Sequence, residues 1–207
     1  MRKIKTKIKN PDLVEKRRNQ ISQAALALFR EKGFHATSMR TICQKAKVNL
    51  GSFYDYFGSK EDILVHLYKE IMNRKLHWAP ADGKPADFKD IEDLLRLSMS
   101  NAWSRDNNAI QLLYQETTSL DKKTRKEVFQ IESNFVKWVA EKFREGLSLP
   151  SVSTELELAA NMLVYVNAFI PLRGWNMSHI KQEEILDFAV GMFMTILKAL
   201  SQREAIR

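Results

Sequence analysis

The sequence predicts an all-α chain in two parts, a small N-terminal three-helix domain over residues 1–60 and a larger helical domain over residues 61–207. Three observations carry that expectation. Apolar residues recur at helical spacing in successive stretches, from Ile21, Ala24, Ala25, Leu28 and Phe29 near the start to Phe188, Ala189, Met192, Phe193, Ile196, Leu197 and Leu200 near the end. Capping signals open several of these stretches: Asn10 before Pro11, Ser59 with Asp62, and Thr154 with Glu157. The charge also divides along the chain. Residues 1–60 carry 14 Lys/Arg against 4 Asp/Glu, whereas residues 61–207 carry 19 against 21. All of the net positive charge of +8 therefore belongs to the first part.

Residues 1–9 alternate Lys or Arg with Ile and Thr and read as a basic arm, suited to phosphates or a minor groove or serving only to solubilise. The first helix starts at Asn10-Pro11 and stops at Gly33, with Lys32 its last residue. The second runs from about Met39 to Ala46. Met39, Ile42, Cys43 and Ala46 share one face, and Thr37 or Ser38 is placed to cap it. After Lys47, Val48 and Asn49 comes a short helix, about Asn49 to Tyr56. Leu50, Phe53, Tyr54 and Phe57 give it an apolar side, and Asn49, Ser52, Asp55 and Tyr56 a polar one. Such a helix is too short to fold alone and must be held by neighbours. Helix, tight turn and second helix over residues 38–57 form the outline of a helix-turn-helix reader of the DNA major groove.

The next helix opens at Ser59 and runs towards Trp78 with Ile63, Leu64, Leu67, Tyr68, Ile71 and Met72 as its stripe. Its N-terminus is suited to phosphate, and Lys60 adds a full charge there. The helix leads out of the first domain. Pro80 to Asp87 reads as a linker. Four or five helices follow, at about 88–104, 107–119, 121–147, 153–174 and 181–203, the fourth kinked or ended by Pro171 and Gly174. The third carries Val128, Ile131, Phe135, Trp138, Val139 and Phe143 at helical spacing. The last two are apolar on more than one side, with Val190 and Met194 off the main face of the fifth. Such a helix is buried or meets a partner chain.

Composition narrows the function classes. At 207 residues and 44% hydrophobic, with seven Gly and five Pro, the chain is neither disordered nor fibrous. Cys43 is the only cysteine, which excludes an internal disulfide and fits a reducing cytoplasm. The longest nearly apolar run, Phe188 to Leu197, is half of the ~20 residues that a membrane span needs. The basic N-terminus is not followed by an apolar signal region. There is no GxSxG, P-loop or CxxC motif. His35, His66, His77 and His179 are scattered. His66 and Glu70 have a metal-compatible i, i+4 spacing but read as an exposed helical pair, so no metal or cofactor is expected. Cys43 reads as a small core residue, with redox sensing as the lesser alternative. A basic first domain carrying a helix-turn-helix is the footprint of a polyanion-binding end. The rival is a helical enzyme or small-molecule carrier that is only incidentally basic.

Thr37, Ser38, Arg40, Ile42, Ala46, Val48, Gly51, Ser52, Tyr54, Phe57, Ser59, Lys60 and Leu64 follow the N-terminal signature of the tetracycline-repressor (TetR) family of transcriptional regulators, and from about Arg18 to Ile71 the chain resembles that family. The resemblance implies a cytoplasmic, dimeric, ligand-responsive repressor on a double-stranded, palindromic DNA operator. Phosphate contacts are then expected from Thr37, Arg40, Tyr54, Tyr56 and Lys60, and base-edge contacts from Asn49, Leu50, Gly51 and Ser52. One position departs from the family pattern: Lys47 stands where members usually have Gly. A left-handed backbone there costs a non-Gly residue roughly 1 kcal/mol, so either the turn changes geometry or Lys47 contributes a phosphate contact. Members dimerise through their last two helices, which points to Leu156, Leu163, Asn167, Phe188, Met192, Phe193 and Ile196. They line a small-molecule cavity with residues such as Trp103, Tyr114, Phe135, Trp138, Met162, Tyr165, Phe169 and Trp175. Tyr114-Gln115-Glu116-Thr117 resembles members that control fatty-acid metabolism and sense acyl thioesters; a fatty acid or drug-like effector stands beside it.

Overall fold

The computed structural model describes residues 10–76 and 88–204. The expected basic arm, the Pro80–Asp87 linker and the approach of the fourth helix to Trp78 lie outside the described residues. Among those residues every regular element is helical: α1 (Pro11–Lys32), α2 (Met39–Ala46), α3 (Leu50–Tyr54), α4 (Lys60–Leu76), α5 (Phe88–Trp103), α6 (Asn107–Glu116), α7 (Lys122–Gly146), α8 (Thr154–Asn167), α9 (Phe169–Arg173) and α10 (Gln182–Glu204). Single 3₁₀ turns follow α6 and α9.

The described residues fall into two compact units, one within Met1–Ile71 and Leu112–Phe129, the other within Met72–Gln111 and Gln130–Arg207. This division differs from a boundary at residue 60. The stripe Ile63, Leu64, Leu67, Tyr68 and Ile71 keeps the first part of α4 buried in the first unit, and residues 112–129 return to the same unit.

In the first unit, α1 buries Ile21, Ala25, Leu28 and Phe29 and packs along α2. Asn10 caps it, its Oδ1 accepting from the Asp12 and Leu13 amides at 3.0 and 3.4 Å. Gly33 ends it at φ 86°, where a side chain is disfavoured. Ser38, not Thr37, caps α2: its hydroxyl accepts from the Thr41 amide at 3.1 Å. The turn after α2 keeps the left-handed geometry without glycine. Lys47 has φ 52° and ψ 45°. Its amide donates to Gln44 O at 3.2 Å, and the Val48 amide reaches back to Cys43 O at 3.0 Å. These are the two bonds of a Schellman stop, which satisfies the carbonyls at the end of α2. Gln20 of α1 adds a third, its Nε2 donating to Ala46 O at 2.8 Å. Cys43 is buried in this packing, and burial pushes its thiol pKa up, as a core residue requires.

Ser59 and Asp62 form a variant of the capping box at α4. The Asp62 amide donates to Ser59 Oγ at 3.2 Å, while Asp62 Oδ2 accepts from the Gly58 amide, one residue earlier than a Glu would reach.

In the second unit α5, α8 and α10 pack against one another, with α9 against α5 and α8. The core includes Ile91, Leu95 and Met99 from α5, Leu156, Ala160 and Leu163 from α8, and Val190, Phe193 and Leu197 from α10. Two polar ties cross it: Trp103 Nε1 donates to Val166 O at 3.2 Å, and Ser98 Oγ to Asn167 Oδ1 at 3.2 Å. The cap of α8 is Ser153, one residue before Thr154, with its hydroxyl accepting from the Leu156 amide at 3.3 Å. The helix breaks at Ala168 because Pro171 cannot donate to the Asn167 carbonyl and its ring crowds that oxygen.

The strain at Lys47 gives a direct test. Lys47→Gly should stabilise the chain by about 1 kcal/mol, raising Tm by roughly 2–4 °C for a chain of this size. Thermal unfolding followed by circular dichroism checks this; a lowered Tm would show that the Lys47 side chain contributes more than the backbone strain removes.

Candidate nucleic-acid interface

The interface is built around α3, whose five residues are placed by what surrounds them. Phe53 is fully buried, edge-on to Tyr54 at 5.9 Å and tilted against Phe57 at 6.1 Å. Asn49 caps the helix, its Oδ1 accepting from the Ser52 amide at 2.7 Å. With Phe53 turned inward, Asn49, Leu50, Gly51 and Tyr54 are exposed and Ser52 is half-buried. Leu50 and Tyr54, read from spacing as part of the apolar side of α3, are thus on its outer face. Arg40 and Lys47 are exposed as well. So are Gln44 and Lys45 on α2, which sequence reasoning passed over; Gln44 lies one turn beyond Arg40, and that spacing was the available signal.

This surface combines two chemistries. The guanidinium of Arg40 and the ammonium groups of Lys45 and Lys47 suit phosphate oxygens. The Asn49 amide, the Ser52 hydroxyl and the Leu50 methyls suit base edges, including the thymine methyl. Gly51 is informative. A Cβ built there would meet only Asn49 Oδ1, at an ordinary 3.4 Å. The fold itself therefore does not require glycine at this place.

Three expected contact residues are turned to internal tasks. Thr37 is buried, and its hydroxyl donates to Gly33 O at 2.8 Å, bracing the loop between α1 and α2. Tyr56 is buried as well. Lys60 reaches back across the fold: its Nζ donates to Phe34 O at 2.8 Å and to His35 O at 3.3 Å and lies 4.7 Å from the centre of the Phe34 ring. The ammonium holds the same loop that Thr37 braces.

The residues expected at a dimer seam and those expected in a cavity are also redistributed. Leu156, Leu163, Asn167 and Phe193 are buried within the chain. Asn167 Oδ1 accepts from Ser98, while its Nδ2 is buried without a protein partner. Phe188, Met192 and the half-buried Ile196 remain on the outside of α10. Of the cavity candidates, Trp103 and Phe135 are core, with Trp138 stacked on Phe135 at 5.8 Å; Tyr114 is half-buried. Met162, Tyr165, Phe169 and Trp175 are exposed. Leu158, Met162 and Tyr165 form an outward stripe on α8, opposite its buried one, with Tyr165 62% and Phe188 of α10 74% exposed.

His66 departs from its expected place. Instead of belonging to an exposed pair with Glu70, it is only 8% exposed, and burial, above all, lowers its pKa to about 4. Its imidazole is therefore neutral at pH 7.

Comparison with known proteins agrees with this geometry. Residues 21–67 match the family described as bacterial regulatory proteins, tetR family. The HTH-type transcriptional regulator HbdR of Aromatoleum sp. (strain CIB) is 43% identical over 70 residues, which is 34% of this chain and 31% of that protein. That match thus spans less than a third of the relative's length. The fatty acid metabolism regulator protein of Bacillus subtilis (strain 168) is 24% identical over 168 residues, 79% of this chain and 86% of that protein. The crystal structure of a transcriptional regulator FadR from Bacillus subtilis in complex with stearoyl-CoA superposes with a TM-score of 0.65 at 23% identity, over 86% of this chain and 96% of that one. Among the described residues no helix is long and apolar enough to cross a membrane.

The role of Lys60 is testable apart from any ligand. Lys60→Met should destabilise the chain by roughly 1–3 kcal/mol, because it leaves loop carbonyls without their charged donor. Denaturant unfolding of the two proteins measures the difference; equal midpoints would mean that Lys60 does not hold the loop.

Proposed function

We propose that the chain, whose residues 21–67 match the tetR family of bacterial regulatory proteins, is a regulator and not an enzyme: a dimeric repressor that binds a palindromic DNA operator through α2 and α3 and releases it when an acyl thioester binds the second unit. The observation that carries the reading is the outer face of α3, with Asn49, Leu50 and Gly51 exposed opposite the buried Phe53 and cations at Arg40 and Lys47 beside them. A glycine that the fold does not need suits a backbone that must come close to a partner.

Dimerisation is supported by the second apolar side of α8 together with Phe188 and Met192 of α10. A helix with two apolar sides, one satisfied inside the chain, leaves the other for a partner. The acyl thioester is supported by the likeness, over most of this chain, to a fatty acid metabolism regulator and to a regulator crystallised with stearoyl-CoA. Effector binding would favour dimers whose recognition helices are wrongly spaced for the two half-sites.

One gel-shift series tests this. The chain should retard DNA from upstream of its own gene, with affinity falling steeply as salt rises. Gly51→Leu, which points a side chain outward, should abolish specific retardation and leave thermal unfolding unchanged. Stearoyl-CoA should weaken operator binding about 5- to 150-fold, the usual range for such coupling. Retardation that Gly51→Leu leaves intact would remove α3 as the reader. A response only to hydrophobic cations would remove the acyl thioester.

A further inference from the structure

Glu15 on α1 and His66 and Glu70 on α4 each offer one ligating atom, and these atoms lie within 4.8 Å of one another. His66 Nε2 is 3.8 Å from Glu15 Oε1 and 3.2 Å from Asn19 Oδ1. A tetrahedral ion with bonds of about 2.0–2.1 Å holds its ligand atoms roughly 3.4 Å apart, so small rotations of the two Glu side chains complete the set. The spacing is that of facing helices: Glu15 and Asn19 are one turn apart on α1, His66 and Glu70 one turn apart on α4. The His66 ring is buried and held edge-on to Phe57 at 5.4 Å. A hydrogen bond to Asn19 alone would satisfy that nitrogen. Two carboxylates are gathered at the same place as well: burial first, then the charge of Glu70 and a hydrogen bond with it, holds the Glu15 carboxyl above the usual carboxylate range.

We propose that Glu15, His66 and Glu70 form a site for a divalent first-row transition-metal ion that bridges α1 and α4. An imidazole with two carboxylates suits Zn²⁺, Ni²⁺, Co²⁺ or Mn²⁺; the nitrogen ligand disfavours Mg²⁺ and Ca²⁺, and the lack of a thiolate disfavours Cu⁺. Two cations also face His66. Lys69 is engaged by Glu127 at 2.8 Å, and Arg18 lies over the Phe57 ring at 5.9 Å. Both stand beside the set and are not among its ligands.

The test uses the untagged full chain, freed of metal with a chelator and titrated at pH 7 with Zn²⁺ by calorimetry and with Co²⁺ by visible absorption. One ion per chain should bind, with Co²⁺ showing ligand-field bands of protein coordination. Glu15 is half exposed, so Glu15→Gln keeps the fold and should weaken binding about tenfold or more. Glu70→Gln should do the same, and Glu31→Gln, exposed on α1 away from the set, should have no effect. Absence of one-to-one binding, or binding that Glu15→Gln and Glu70→Gln both leave unchanged, overturns the site.

Discussion

The first unit depends on how a five-residue helix is held. α3 closes too few backbone hydrogen bonds to persist alone, so its direction is imposed from outside. Phe53 anchors it in the core, the Asn49 side chain caps its first turn, and the left-handed Lys47 turn sets its angle to α2. α2 is in turn tied to α1 by Gln20, and the loop between them is braced by Thr37 and Lys60. Packing and exposure are thereby separated on opposite sides of one short helix. The buried side carries the packing, and the outer side can vary without loss of fold. The Lys47 strain is tolerated because the Schellman bonds on either side of it satisfy carbonyls that the end of α2 would otherwise leave open.

The second unit resolves a different problem. α8 is apolar nearly all round, and one side of it meets α5 and α10 through Leu156, Ala160 and Leu163. The polar ties from Ser98 and Trp103 fix the register of that contact. The remaining apolar side, through Leu158, Met162 and Tyr165, lies outward, where it costs solubility unless covered. A second copy of the chain is the cover we propose for it.

The helices were legible because their ends are written locally. Asn10-Pro11, Gly33, Ser38 and Ser59 act within three or four residues of themselves, and the structure uses each of them. The contact roles of Thr37, Tyr56 and Lys60 were not legible, because a polar side chain near a basic surface carries no mark of where it points; Lys60 finds its acceptors some 26 residues away in sequence. The inner and outer sides of α8 were exchanged for the same kind of reason. When both sides are apolar, helical spacing finds two stripes and cannot rank them. That is why Leu156, Leu163 and Asn167 proved to be core, while Met162 and Tyr165 face out. His66 shows the limit most clearly. Its partner Glu70 was visible at i, i+4, but Glu15 and Asn19 come from another helix, and only the packing of α1 on α4 brings them near.

The central claim is that two copies of the α2–α3 face read DNA together. Selection of bound sequences from a random double-stranded pool tests it without prior choice of operator. The account predicts recovery of a two-fold symmetric site whose half-sites are centred about one helical turn apart, or a multiple of it. Recovery of no enriched sequence, or of a single half-site without symmetry, would contradict it.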